Sequence, residues 1–195
     1  TDAFAQYDGS SSFFGGSRPW PSVRGIPLGV PMDAVLLRER ARGVLFEKHA
    51  VEEGSAYYVC ASPVEVAGGL VQMKYCEHNG DFARVELYGA FESEEEALRW
   101  YDAILAEAER GFGEYEDIPA VAVPRSAYEQ ALGMERKAIL AEIEGAYASR
   151  MKRWQLNSVP QGYSAGSQIS LTRTRDDCFV VTVTLGAGMR SPDAD

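Results

Sequence analysis

The sequence has few of the residues on which most catalytic and metal sites depend. Its 195 residues include only two histidines, His49 and His78, and three cysteines. The cysteines, at positions 60, 76 and 178, lack the close Cys-Cys spacing of structural zinc sites. A Ser-His-Asp or Cys-His group would have to use one of the two histidines. The sequence therefore predicts no metal and no cofactor, and it favours a protein that is not an enzyme.

Long apolar runs, nucleotide-binding loops and an excess of basic residues are also missing. No run approaches the roughly 18 apolar residues of a membrane-spanning helix, and no Gly-Lys-Ser/Thr loop is present. The net charge is −10, whereas binding to phosphate backbones requires a basic footprint. We therefore predict no membrane span and no nucleic-acid partner. A lipid anchor attached upstream would leave no trace in this sequence.

Negative charge is present instead, and it is concentrated between residues 92 and 117. Ten acidic residues in this segment face only Arg99 and Arg110, which gives a local net charge of −8. A solvated helix face explains such a pattern, and so does a docking surface for a basic protein. If the segment is a docking surface, its candidate binding residues are Glu95, Glu96, Asp102 and Glu109.

Three segments carry helix signals. Ser93 and Glu96 form a capping box, and apolar residues then recur at helical spacing, which predicts a helix over 93–112. A short helix is predicted after Pro31. A second capping box and a further apolar stripe predict a long helix over 126–153, with the stripe formed by Leu132, Ile139, Ile143, Tyr147, Met151 and Trp154.

Strand signals occur in two groups. Aromatic and β-branched residues over 56–88 predict a three-stranded antiparallel meander, in which Asn79-Gly80 forms the second turn. The segments 168–174 and 178–185 alternate with period two and predict a terminal hairpin. We therefore predict an α+β fold, with an antiparallel sheet of about five strands and helices packed on one face.

The ends of the chain differ in composition from its centre. Residues 1–22 are rich in Gly, Ser and aromatic residues without periodicity, which predicts a flexible leader. A single α+β domain is expected over 23–186 and a flexible tail over 187–195. The sequence begins Thr-Asp without methionine, so it is processed or trimmed. Such a leader is typical of a secreted or lipid-anchored protein, which favours the periplasm or cell envelope over the alternative, the cytoplasm.

The cysteines allow two interpretations. Cys60 and Cys76 end consecutive predicted strands, so neighbouring strands can bring them within disulfide reach. We expect a bridge if the protein matures outside the cytosol, with Cys178 buried and unpaired, whereas three reduced thiols would suit a cytosolic protein. Cys76 and His78 lie two residues apart on an extended segment and point to the same side. They are the best candidate pair for an enzyme.

The order of elements resembles that of small bacterial envelope proteins. The matching segments are the glycine turn over 25–32 that leads into the short helix, the capped helix over 93–113, and the stretch 154–185 that runs from a tryptophan into the terminal hairpin. Such proteins share a fold with the beta-lactamase inhibitor protein and with the small lipoprotein of the outer-membrane barrel assembly machine. The resemblance implies an α+β envelope protein that acts by binding, and it assigns no site residue.

Three functional hypotheses follow. The leading one is a non-enzymatic envelope or secreted protein that acts through contacts with a protein partner, using the acidic helix or the exposed face of the sheet. A basic partner would suit the acidic helix. The second is a cysteine-dependent enzyme or a small-ligand-binding protein. The third is an acidic cytoplasmic partner or immunity-type protein, since small acidic domains often neutralise a basic partner. The oligomeric state is not predicted.

Overall fold

The computed structural model describes residues 13–15, 20–52, 54–118, 121–122, 147–156, 159–173 and 178–189. It contains helix α1 (Met32–Ala41) and helix α2 (Glu94–Phe112). Its strands are β1 (Phe14–Gly15), β2 (Ser22–Val23), β3 (Ile26–Pro27), β4 (Phe46–Glu52), β5 (Ser55–Cys60), β6 (Val64–Val66), β7 (Gly69–His78), β8 (Asp81–Phe91), β9 (Glu116–Ile118), β10 (Val121–Ala122), β11 (Tyr147–Leu156), β12 (Tyr163–Arg173) and β13 (Phe179–Met189). Of the helices in these ranges, neither has the length and apolar character that crossing a membrane requires.

One large antiparallel sheet organises the fold. Within the described ranges it contains ten strands in the order β10-β11-β12-β13-β8-β7-β5-β4, with β6 paired to β7 and β9 paired to β11. Strands β1, β2 and β3 form a small second sheet. The predicted α+β class is therefore confirmed, but the prediction of about five strands is too low. The predicted meander corresponds to β5, β7 and β8, and the terminal hairpin to β12 and β13.

Two of the additional strands have sequences rich in charge. Strand β4 contains Glu47, Lys48 and Glu52, and it ends the order of the described strands of the large sheet. Strand β11 contains Arg150, Lys152 and Arg153. Both strands form because their backbones pair with a neighbour, a stabilisation that outweighs their modest intrinsic strand propensity.

The predicted long helix is wrong at its carboxyl-terminal end. Residues 147–153 belong to strand β11, which pairs with β12 over its whole length. Trp154 and Leu156 are buried while Arg153 and Gln155 are exposed, so the side chains alternate with the period of a strand. The remainder of that prediction, 126–146, lies outside the described residues.

The two described helices, α1 and α2, pack on the same face of the large sheet. On this helix face, the hydroxyl of Tyr75 in β7 donates a hydrogen bond to Glu39 of α1 at 3.1 Å. Farther along the same face, Gly89 of β8 lies against the ring of Trp100 in α2. The apolar core lies between this face and the helices, and its largest members include Trp154, Tyr101, Met73, Leu87, Ile104 and Ile169.

The domain extends beyond both predicted boundaries. Phe13 and Phe14 are buried, and the Arg24 N–H donates to the Phe13 carbonyl at 2.8 Å, so this part of the predicted leader belongs to the core. The prediction failed because the two phenylalanines lie among Gly and Ser residues and show no periodicity. At the other end, residues 187–189 continue strand β13 and are not a flexible tail.

A buried ionic cluster connects α1 to the amino-terminal hairpin. The Glu39 side chain is fully buried, and its Oε1 lies 3.1 Å from Arg24 Nε and 3.2 Å from Arg42 Nη1. The same oxygen accepts the Tyr75 hydroxyl, whereas Oε2 is buried without a hydrogen-bond partner. Glu39 thus joins the turn between β2 and β3, helix α1 and strand β7.

Candidate functional site

Helix α2 presents the acidic segment on a fixed scaffold. The Ser93 hydroxyl accepts the Glu96 N–H at 3.2 Å, which confirms the predicted cap. Trp100 is buried, and its indole N–H donates to the Val66 carbonyl at 2.8 Å. The apolar side of the helix is therefore held against the sheet, and the opposite side faces solvent.

The predicted binding residues all lie on this solvent side. Glu95, Asp102 and Glu109 are exposed and seven residues apart, so they form one line along the helix with a spacing of about 10.5 Å. We call these three residues the acidic stripe. Glu96 is also exposed, but it lies about 100° around the helix from Glu95.

Arg99 and Glu107, which lie near the acidic stripe, already form ion pairs in the structure. Arg99 Nη2 lies 3.2 Å from Glu95 Oε1, in a pair that is exposed on both sides and therefore contributes little to stability. Glu107 pairs with Arg110 and also accepts the Phe13 N–H at 3.0 Å, so it fixes strand β1 to the helix. Asp102 and Glu109 are the members of the stripe that no described residue neutralises by an ion pair.

The opposite face of the sheet, which we call the outer face, holds a second charged group. Glu86 of β8 is only 1% exposed, although it lies on this face. Arg84 Nη2 lies 2.9 Å from one carboxylate oxygen, and Lys74 Nζ lies 3.5 Å from the other. The Tyr88 hydroxyl also donates to Glu86 at 3.3 Å. The alternation of apolar and polar residues along this strand predicts that Glu86 faces solvent. It does not predict that neighbouring side chains bury the carboxylate.

Cys76 and His78 lie on the same side of β7, as predicted, but each contacts another residue. The Cys76 sulfur lies 3.8 Å from Arg84 Nη2. His78 Nδ1 lies 3.4 Å from the Ser55 hydroxyl, across the pair of strands β5 and β7. This arrangement lacks the thiol–imidazole hydrogen bond by which a Cys-His pair activates its nucleophile.

The predicted disulfide does not fit the strand register. Cys60 and Cys76 lie on adjacent strands, but Tyr57 is the residue opposite Cys76, three positions from Cys60. Cys60 points to the helix face, where its sulfur accepts the Met73 N–H at 3.1 Å, whereas Cys76 points to the outer face. None of the three cysteines is in a disulfide. Cys178 is exposed, contrary to prediction, because it precedes the first residue of β13.

We therefore expect three reactive thiols when the protein is denatured without a reducing agent. In the folded protein, Cys178 should react first with a thiol reagent and Cys60 only upon unfolding. Burial raises the pKa of the Cys60 thiol, which adds a chemical barrier to the steric one. Thiol titration with and without denaturant measures both quantities. A count of one thiol under denaturing conditions would show that a disulfide forms in spite of this register.

Tyr101 of α2 has a buried hydroxyl group. The side chain is buried, and its oxygen has no hydrogen-bond partner among the described residues. Burial raises the pKa of Tyr101 to about 12, against a smaller opposing effect of the Arg150 charge. An unpartnered hydroxyl in the core costs folding free energy that a phenylalanine would not.

We expect Tyr101→Phe to leave the free energy of unfolding unchanged at pH 7 or to raise it by about 1 kcal/mol. The native protein should lose stability as the pH rises from about 10 to about 12, because the unfolded chain ionises this tyrosine at the lower value. The variant should lose less over that range. Urea unfolding at pH 7 and at pH 11 tests both statements, and a clear loss of stability in the variant at pH 7 would contradict them.

Among the described residues, no group of three His, Cys, Asp or Glu side chains is placed to hold a metal ion. The arrangement that remains is helix α2 with its exposed acidic stripe, beside a sheet in which Glu86 is paired with Lys74 and Arg84. No family model, no curated protein and no solved structure matches the chain. The resemblance to small envelope proteins therefore stays a prediction.

Proposed function

We propose that this chain is a non-enzymatic binding protein that uses the acidic stripe of α2 to contact a basic protein partner. The observation that carries the proposal is the exposure of Asp102 and Glu109 on a helix whose other side is fixed in the core. Carboxylates held on a rigid helix retain a fixed spacing, so a partner with matching basic side chains binds without ordering the surface first.

The position of these two residues argues against a purely structural explanation. Acidic residues in the first turn of a helix, such as Glu94, Glu95 and Glu96, are stabilised by the helix dipole. Asp102 lies in the middle of α2 and Glu109 in its last turn, where the dipole favours basic side chains. Helix stability therefore does not account for Glu109, whereas contact with a basic partner would.

The proposal does not depend on the cellular compartment. A disulfide between Cys60 and Cys76 would have favoured an envelope location, but the strand register does not place the two cysteines opposite each other. A basic partner in the envelope and a basic partner in the cytoplasm would both recognise the same stripe. The envelope role and the cytoplasmic immunity-type role therefore differ in the identity of the partner and not in the surface that binds it.

The test is a double charge reversal with a matched control. Affinity purification of the tagged chain from its own cells supplies the partner, and the binding of the purified partner is then measured directly. We expect Asp102→Lys with Glu109→Lys to weaken binding at least about 100-fold. The control, Glu65→Lys with Asp81→Lys, makes the same change in net charge at exposed residues outside α2, and it should weaken binding much less.

Salt dependence provides a second measurement. Binding through exposed carboxylates should weaken as the ionic strength rises, and the double reversal should remove most of this dependence. Equal loss of binding in the two double variants would show that only net charge matters. Unchanged binding in the variant of Asp102 and Glu109 would show that the partner contacts another surface, and the proposal would be wrong.

A further inference from the structure

Among the described strands, β4 is the last one of the large sheet on its side, and half of its backbone groups point away from the sheet. The Leu45 carbonyl accepts the Ala61 N–H at 2.8 Å, so these two residues form a hydrogen-bonded pair. Such pairs alternate along antiparallel strands. Positions 47 and 49 therefore bond to β5, whereas positions 46, 48 and 50 direct their N–H and C=O groups outward.

Apolar side chains are exposed at both ends of this edge. Leu45 is 57% exposed and Val51 is 63% exposed, which places them among the most exposed large hydrophobic residues of the described chain. Between them lie Glu47, Lys48 and His49, and the His49 ring stacks on Tyr57 with a centroid distance of 4.9 Å. The edge is thus apolar at its ends and charged in the middle.

This sequence is complementary to itself in one antiparallel register. When Lys48 stands opposite Lys48 of a second copy, Leu45 stands opposite Val51 and Glu47 opposite His49, each pair occurring twice. The outward-facing positions 46, 48 and 50 then pair with one another, as backbone hydrogen bonding requires. If the two strands are instead paired about position 47, Glu47 stands opposite Glu47 of the second copy. If they are paired about position 49, Glu47 stands opposite Val51.

We propose that β4 pairs antiparallel with β4 of a second copy, about a two-fold axis at Lys48, so that the two large sheets join at this edge. The irregularity between Ala50 and Glu52 falls at Val51, so the regular pairing ends at the apolar pair itself. The two Lys48 side chains are the unfavourable element, because like charges directly opposite each other weaken a strand pair. With a short interface and this repulsion, the dimer is weak, with a dissociation constant of about 100 µM.

Sedimentation velocity from about 10 to about 500 µM measures this equilibrium directly. Lys48→Pro should abolish the dimer, since it removes an outward N–H and inserts a ring at the axis without removing a hydrogen bond to β5. Val51→Lys should weaken the dimer at least about 10-fold. Leu70→Lys is the matched control, because Leu70 is 69% exposed at a different place in the sheet, and this variant should dimerise like the native chain.

Two further variants test the register itself. Lys48→Gln removes the like charges and should tighten the dimer at least about 3-fold. In a background with Cys76 and Cys178 replaced by serine, Lys48→Cys should form a disulfide-linked dimer under mild oxidation. The two Cα atoms then lie about 5.5 Å apart, within the disulfide range. Glu47→Cys should not form this dimer readily, because it stands opposite His49.

The proposal is wrong if the native chain and Lys48→Gln are both monomeric over the whole concentration range. It is also wrong if a dimer forms but Val51→Lys and Leu70→Lys affect it equally. If Glu47→Cys forms the disulfide as fast as Lys48→Cys, the proposed register is wrong. If Lys48→Pro does not fold, the comparison of Val51→Lys with Leu70→Lys still tests whether the dimer forms through β4.

Discussion

Replacing Glu39 by alanine is expected to lower the free energy of unfolding by about 3–5 kcal/mol. The Glu39 carboxylate is the common partner of Arg24, Arg42 and Tyr75, and the two arginine side chains are only 13% and 19% exposed. Its removal leaves two poorly solvated positive charges and a buried hydroxyl without an acceptor. Because these groups belong to the amino-terminal hairpin, α1 and β7, the loss affects three parts of the fold together.

Urea unfolding of three variants separates the charge of Glu39 from its shape. Glu39→Gln retains the size of the side chain and one acceptor oxygen, so it should cost less than Glu39→Ala. Glu95→Ala is the matched control, because Glu95 is also a helix glutamate paired with an arginine, but both members of that pair are exposed. It should change stability by no more than about 0.5 kcal/mol. A Glu39→Ala variant as stable as the control would show that the cluster is not energetically coupled to folding.

Replacing Gly69 by alanine is expected to destabilise the protein by about 1–3 kcal/mol, although it adds a single methyl group. A Cβ atom at Gly69 would lie 2.4 Å from Cδ1 of Trp100, which is far closer than carbon atoms approach one another. Trp100 cannot move away easily, because it is buried and its N–H is bonded to the Val66 carbonyl. The glycine is required so that α2 can lie this close to β7.

A double-mutant cycle with Trp100→Leu tests this explanation. Trp100→Leu alone should cost about 3 kcal/mol because it leaves a cavity in the core. In that variant the methyl group of Gly69→Ala has room, so the double variant should be at least about 1 kcal/mol more stable than the sum of the single effects predicts. Gly188→Ala is the control, since a Cβ atom there meets nothing within 4 Å. Additive effects at Gly69 and Trp100 would contradict the proposed contact.

The elements that could be predicted from the sequence are those specified by neighbouring residues. Helix α2 has its capping serine and its apolar spacing within one segment. The hairpin between β7 and β8 has an Asn-Gly turn, in which Asn79 and Gly80 both adopt positive φ angles. The terminal hairpin shows strand alternation on both sides of its turn. In each case, the signal and the structure occupy the same short stretch of chain.

The elements that could not be predicted depend on residues far away in the sequence. Strand β11 shows an apolar stripe that fits a helix, and its pairing with β12 decides between the two structures. The disulfide between Cys60 and Cys76 was a reasonable prediction from adjacent strands, but a disulfide requires the correct register and the same face. Arg24 and Tyr75, both distant in the sequence, contact the buried Glu39, and Lys74 of β7 contacts the buried Glu86. Composition does not reveal such burial.

The candidate site also contains features that the sequence could predict and features that it could not. The residues of the acidic stripe could be selected from the sequence, because a helix places residues seven apart on one side. The sequence could not separate Glu107 from the exposed acidic residues, since its contact with the Phe13 N–H joins residues that are far apart in the chain. The edge of β4 was not predicted either, because its order in the sheet follows from the whole topology.

The order of strands also bears on how the chain folds. Within the described residues, the strands up to β8 pair with partners nearby in the sequence, and so do those from β9 onward, while the two sets meet where β8 pairs with β13. In that pairing Leu87 stands opposite Val183, about a hundred residues later. Closing so long a loop is entropically costly, and such non-local contacts slow folding. We therefore expect the two sets to acquire native pairing first and this seam to close last, which makes it the step at which newly made chains are most exposed to misassembly with one another.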